Sequence, residues 1–221
     1  MSEIELQESC TQAQPLVELL RRELNCRTVP IFIALDGRSG SGKSTIASIV
    51  ADELNADSSE EAIVTVIEGD QFYGGGSAST WDAISIDQKI DRVIDWQRQR
   101  LLLKSLRNQG TAVWQYFDWD SDDWDADIIP LKPQPIRCVA TPVVLLEGAY
   151  SARPELSDLL DIRVLLNIPT QVRRARLLKR EGEAYRDDWE RRWAAAEDYY
   201  FGSITPAHEY DLVLGQADEQ S

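Results

Sequence analysis

The sequence predicts an α/β fold, a three-layer sandwich in which a parallel sheet is covered by helices on both faces. Three observations point there. Apolar, β-prone runs alternate along the chain with stretches whose apolar residues recur at helical spacing. The runs are apolar nearly throughout, as strands buried on both faces are. Between the first of them and the helix after it lies the glycine-rich connection Gly37-Arg38-Ser39-Gly40-Ser41-Gly42-Lys43-Ser44, with Thr45 behind it.

The 221 residues suit one domain over 15–215, with a polar tail at 1–14 and another at 216–221. A helix over 15–24 carries Leu16, Leu19, Leu20 and Leu24 on one stripe, with Pro15 acceptable in its first turn. A strand over 29–35 follows, then the glycine-rich loop. Ile46, Ile49 and Val50 mark the inward side of the next helix, which ends near 54–55. A second strand over 62–67 leads into Glu68-Gly69-Asp70-Gln71-Phe72-Tyr73 and the cluster Gly74-Gly75-Gly76.

Ser85-Ile86-Asp87-Gln88 fits a capping box opening one long helix to about 107, with Ile86, Ile90, Val93, Ile94 and Leu101 inward and Gly110 at its end. The stretch 111–119 holds Trp114, Tyr116, Phe117 and Trp119 around Asp118. Residues 120–142, rich in aspartate and then proline, read as an exposed excursion or short hairpin, not a second domain. Strands are predicted over 143–147, 162–168 and 210–214, with a short helix after Pro154. Between the last two strands lies the most basic stretch of the chain, 171–192, a candidate helical lid.

The loop carries the chemistry. It reads G-x-x-x-x-G-K-S, the phosphate-binding pattern of nucleotide-using proteins. Its glycines let backbone amides wrap an anion at a helix N-terminus, where the helix dipole adds its field. Gly37, Arg38, Ser39, Gly40, Ser41, Gly42, Lys43, Ser44 and Thr45 are therefore the candidate ATP-binding residues. Lys43 reaches the terminal phosphates, and the Ser44 hydroxyl ligates Mg²⁺. Asp70 follows the second strand, where ligands of parallel sheets gather, and is a candidate to accept a substrate hydroxyl proton or hold Mg²⁺. Glu147 closes an apolar strand and is a candidate for the metal side of the site. Arg173, Arg176 and Arg180 sit at i, i+3 and i+7, so one helix face would present a cationic clamp for polyphosphate. Arg174, Arg191 and Arg192 read instead as a solvated face.

Composition excludes several classes. A net charge of −15 opposes a nucleic-acid partner. No apolar run approaches the roughly 18 residues of a membrane span, and the acidic N-terminus is unlike a secretory signal, so the expected location is cytoplasmic. Three scattered cysteines read as free thiols, and one histidine, His208, disfavours histidine-dependent hydrolysis and multi-histidine metal sites. No N-K-x-D sequence occurs, which disfavours a GTPase switch. The chain is compatible with self-association into a homo-oligomer.

On G-R-S-G-S-G-K-S-T, E-G-D-Q-F-Y, V-V-L-L-E-G-A-Y and R-R-A-R-L-L-K-R-E-G-E, the chain resembles the uridine kinase-like branch of the P-loop small-molecule kinases, over about 31–214. The resemblance implies ATP and Mg²⁺, a catalytic base at Asp70, a metal-side carboxylate at Glu147, and Arg176 and Arg180 on the phosphates. It implies transfer to a hydroxyl of a small molecule, a nucleoside above all. Nucleoside kinases of this family carry Y-D-F followed by a histidine and an arginine that hold the nucleoside. This chain has Phe117-Asp118-Trp119 and then Asp120-Ser121-Asp122-Asp123-Trp124. Tyr73, Phe117, Asp118, Trp119 and Arg186 join Asp70 as the candidate acceptor site. Two alternatives stand beside this: a nucleoside-monophosphate kinase, with Arg92, Arg98 or Arg186 on the acceptor's phosphate, and an ATP-binding regulatory protein without transfer.

Overall fold

Five parallel strands form the central sheet: β1 (Ile31–Asp36), β2 (Val64–Glu68), β5 (Val143–Glu147), β6 (Ile162–Leu166) and β7 (Leu212–Leu214), in the order β2-β5-β1-β6-β7. The computed structural model describes residues 3–58, 61–121, 129–182 and 190–215. Side-chain alternation along the strands splits the interior into two cores. Ile31, Ile33, Leu35, Val143 and Leu145 pack with helices α1 (Glu3–Cys26) and α2 (Lys43–Ala56). Phe32, Ala34, Val144 and Leu146 pack on the other side with Trp81 of α3 (Ala78–Ala83), Ile90 of α4 (Ile86–Arg92) and Leu102, Leu103 and Leu106 of α5 (Trp96–Gln109). The result is the predicted three-layer α/β sandwich. Because all five strands are parallel, the loop after β1, Asp70 after β2 and Glu147 at the end of β5 emerge at one sheet edge. The register pairs Glu147 with Leu35 on one side and Glu68 on the other.

The structure departs from the expected elements in three places. The stretch expected as a polar tail at 1–14 is helical from Glu3, so Pro15 lies inside α1 and not in a first turn. Long-range contacts supply what propensity does not: Gln14 Nε2 donates to Glu53 Oε1 of α2 at 2.7 Å, and Lys179 pairs with Glu5 at 3.3 Å. The short strand β7 begins at Leu212, leaving Tyr210 free to turn inward.

The long helix expected to 107 breaks at 93–95. There the backbone leaves the helix to join the segment after β2: Gly74 N donates to Val93 O at 2.9 Å and Asp95 N to Phe72 O at 2.7 Å. Gly74 is needed for that approach, since a Cβ on it would stand 1.9 Å from the Arg92 carbonyl oxygen. Asp95 then caps α5 by accepting from Arg98 N at 3.1 Å. The restart rotates the helix, so Leu101, expected inward, is 66% exposed, and Ile86 is exposed as well. Gly110 does end α5, in a left-handed conformation.

Of the aspartate- and proline-rich stretch 120–142, the described part contributes one strand of a hairpin whose other strand lies before it. The strand β3 (Thr111–Trp114) pairs antiparallel with β4 (Ile136–Val139). Residues 122–128, the tail at 216–221, and Arg186 with the rest of 183–189 lie outside the described residues. The basic stretch begins as α6 (Thr170–Glu181), and 190–204 is helical again, with π-type turns at Glu190–Ala194 and Tyr200–Ile204.

Candidate active site

The glycine-rich loop starts from a buried knot. Asp36, the last residue of β1, is fully buried, and its carboxylate accepts from Gly37 N at 2.8 Å, Tyr150 N at 2.9 Å and Ala152 N at 3.1 Å. The hydroxyls of Tyr200 and Tyr210 each donate to it at 3.0 Å. Burial pushes its carboxyl above the ordinary range, while the amides of Ala152 and Gly37 and the Lys43 ammonium pull the other way. The knot ties the loop to the turn after β5 and to the C-terminal segment. Sequence reading passes over Asp36, although a carboxylate ending an apolar strand is a visible signal.

The helix α6 packs directly on the loop. A Cβ on Gly40, which has φ +76, would lie 2.7 Å from the Arg173 carbonyl oxygen. The side chain of Arg173 is buried behind the loop, donating from Nε to Ile168 O at 3.1 Å, from Nη1 to Ser39 O at 3.3 Å and from Nη2 to Thr170 Oγ1 at 3.1 Å. Arg173 thus braces the loop and is not among the residues that line the cavity over it. Arg38 also turns away, pairing with Asp198 at 2.5 Å and lying 5.1 Å from the Phe201 ring. Gly37 belongs to the Asp36 knot, and the Ser41 carbonyl accepts from Arg176 Nη1 at 2.7 Å.

A cavity of about 250 Å³ opens over the loop, lined by Ser39, Gly40, Gly42, Lys43, Ser44 and Thr45. The same cavity is lined by Asp70, Glu147, Arg176 and Arg180. It combines helix N-terminal amides, one ammonium and two guanidinium groups with two carboxylates. Such a site binds polyphosphate and offers an oxygen base beside it. The Ser44 hydroxyl donates to Glu147 Oε1 at 3.0 Å. Burial raises the Glu147 carboxyl above its usual range; the Lys43 charge and the Ser44 hydrogen bond oppose this, and Asp70 and Glu68 add to it.

A hydroxyl and a carboxylate in contact, with a second carboxylate nearby, form the hard all-oxygen donor set that suits Mg²⁺. Among the described residues no group of three or more histidine, cysteine or acidic residues could hold a metal by itself. Phosphate oxygens and water would complete the shell, the arrangement Mg²⁺ commonly takes.

A second cavity, of about 450 Å³, adjoins the first at Ser39. Tyr73 and Trp119 line it and stack on each other with centroids 5.1 Å apart. Trp81 and Trp193 form another wall, edge to face at 4.8 Å. Two of the expected acceptor residues stand back from it. Phe117 is fully buried behind Tyr73 and Trp119, contacting both rings. Asp118 is engaged by Lys132 at 2.5 Å, which holds its carboxyl below the usual range.

Arg192, expected on a solvated face, lines this cavity while donating to Asp82 at 3.1 Å. Of the arginines weighed for an acceptor phosphate, Arg98 donates to the Gln115 carbonyl and lies over the Phe72 ring, and Arg92 stacks on Trp81; neither lines the cavity. Sequence reading also misses Glu197, which is 2% exposed and lines the cavity. Its Oε1 accepts from Ser39 N at 2.9 Å and Ser39 Oγ at 2.7 Å, while Oε2 has no hydrogen-bond partner among the described residues.

The sequence and the fold both have matches among known proteins. The sequence model of the Phosphoribulokinase / Uridine kinase family matches residues 32–190. A protein named uridine kinase from Limosilactobacillus reuteri is 24% identical over 200 residues, covering 86% of this chain and 85% of its own. Another uridine kinase, from Clostridium novyi, is 25% identical over 181 residues, 81% of this chain and 79% of that one. Among solved structures, a possible uridine kinase from Bacillus stearothermophilus superposes with a TM-score of 0.67 at 17% identity, over 96% of this chain and 100% of that chain. A putative fructose transport system kinase from Silicibacter superposes with a TM-score of 0.65 at 20% identity, over 90% of this chain and 98% of its own.

Proposed function

The chain belongs to the Phosphoribulokinase / Uridine kinase family, a small-molecule kinase by that membership, and we propose that it moves the γ-phosphate of ATP to a hydroxyl of a nucleoside. The observation that carries this reading is the shared cavity: Asp70 lines the same space as Lys43, Ser44 and Glu147, next to an aromatic-walled cavity. Flat rings such as Tyr73, Trp119 and Trp81 suit a stacked base, and the relatives named uridine kinase support a nucleoside acceptor.

In this reading the loop amides, Lys43, Arg176 and Arg180 hold the phosphates and stabilise charge as it spreads over the transferring group. Ser44 and Glu147 would hold Mg²⁺, which would supply further neutralisation of phosphate charge. Asp70 accepts the proton of the acceptor hydroxyl as that oxygen bonds to the γ-phosphorus. The bond from the γ-phosphorus to the bridging oxygen breaks, and ADP leaves with the electron pair. Helix α6, packed on the loop, serves as a lid, limiting water that would otherwise compete with the acceptor.

Arg192 favours a second reading, since a guanidinium lining the aromatic cavity suits an acceptor phosphate. An ADP-release screen across nucleosides, nucleoside monophosphates, sugars and vitamin alcohols separates the two. Release with a nucleoside is the expected result. Release with a monophosphate alone supports the second reading, and tight ATP binding without release against any acceptor opposes both.

A further inference from the structure

The phosphate cavity has two ends. At Ser39 it meets the aromatic cavity, which places the transferring end of a polyphosphate there. At the other end, Gly42, Thr45, Arg176 and Arg180 also line a third cavity, of about 360 Å³. Its far wall is built by Glu5, Ser9 and Gln12 of α1. A chain of phosphates lying along the loop with its γ-end at Ser39 emerges into this groove.

On the reading given above, and from that continuity, we infer that the first turns of α1 form one wall of the nucleoside site for the triphosphate donor. The base and ribose lie between Gln12 and Ser9 on one side and Ile46 and the lid helix on the other. These α1 residues lie outside the span 32–190 that matches the family.

The chemistry of the groove suits a base. The Gln12 carboxamide offers a donor and an acceptor together, the pairing that reads the edge of a purine. The stems of Ile46 and of the arginines supply apolar surface for a ring, and guanidinium planes stack on aromatic faces. The wall is held in place from both sides. Glu5 pairs with Lys179 of α6 at 3.3 Å, and Gln14 Nε2 donates to Glu53 Oε1 of α2 at 2.7 Å. Ser9 is buried, its hydroxyl satisfied by the Glu5 carbonyl at 2.9 Å, so a small residue stands where a larger one would fill the groove.

The test compares a ligand with the nucleoside half against one without it. Calorimetry with Mg²⁺ and either the non-hydrolysable ATP analogue AMP-PNP or inorganic tripolyphosphate is run on the full chain. In Gln12→Ala, AMP-PNP binding weakens about 5- to 10-fold, the range of one hydrogen bond lost at a partly desolvated site, and tripolyphosphate binding changes less than about twofold. Ser9→Phe fills the groove and weakens AMP-PNP more than about 10-fold while tripolyphosphate still binds, which also reports that the loop is folded. If Ser9→Phe loses both ligands, Gln12→Ala decides. An unchanged ratio of the two affinities in Gln12→Ala overturns the inference. That result leaves the phosphotransfer reading standing, since ADP release by the wild-type chain tests it separately.

Discussion

Arg173 offers a sharp test of whether the loop is braced from behind. The perturbation is Arg173→Met, which keeps an apolar stem of similar length and removes the guanidinium. Three hydrogen bonds are lost, to Ile168 O, Ser39 O and Thr170 Oγ1, at 3.1–3.3 Å. The buried carboxylate of Glu197 loses its neighbour, Arg173 Nη1, at 3.9 Å. Removing one partner of a buried charge pair costs about 3–5 kcal/mol. The long distances here and the relief of desolvating the guanidinium favour the lower end, about 3 kcal/mol. For a chain of this size that corresponds to a fall in Tm of roughly 6–12 °C. The assay is thermal unfolding with and without Mg²⁺ and AMP-PNP. The expected outcome is a lower Tm without nucleotide and a nucleotide-induced rise that persists, because Arg173 does not line the phosphate cavity. An unchanged nucleotide-free Tm with the nucleotide effect abolished would show Arg173 to be a direct phosphate ligand and refute the reasoning.

Glu147 and Trp119 give two further tests. Burial raises the Glu147 carboxyl, so the folded protein binds its proton more tightly than the unfolded chain does. The contribution of this group to stability is therefore full below the unfolded value and falls as pH rises through the higher folded one. Glu147→Gln is expected to be more stable than wild type near neutral pH without nucleotide, with the gap closing in mild acid, while Mg²⁺-dependent stabilisation by AMP-PNP is lost; thermal shift across a pH series measures both. Trp119→Ala removes one ring of the Tyr73 stack at 5.1 Å. A stacking contribution of about 0.5–1.5 kcal/mol predicts a KM for the nucleoside raised roughly 2- to 13-fold, with the KM for ATP unchanged in steady-state ADP release.

What the sequence discloses depends on how local the physics is. The loop at 37–45 is legible because its glycines and Lys43 act through backbone geometry that a strand-turn-helix segment sets by itself. Asp70 and Glu147 are legible because each follows an apolar strand, and parallel strands deliver their ends to one edge.

Arg173 and Arg176 sit on one face of α6, but only the docking of α6 decides that the first is buried behind the loop and the second enters the cavity. The break at 93–95 follows from pairing with residues 72–74, far away in the chain, so helical periodicity runs straight through it. The N-terminal residues are polar, and their helix is held by Glu53 and Lys179, which no local pattern announces. Glu197 lies in the run from Trp193 to Phe201, where an acid among aromatics is a faint signal. Its contact with Ser39 comes from two segments of the chain meeting in space.

The most direct test of the account is Asp70→Asn, measured as AMP-PNP affinity by calorimetry and as turnover by ADP release. The side chain keeps its size and loses its negative charge and its capacity to take a proton. The expected result is AMP-PNP affinity within about threefold of wild type and turnover lower by about 10²–10⁴, the range of a general base. Turnover equal to that of the wild-type chain would contradict it and remove Asp70 from the chemistry.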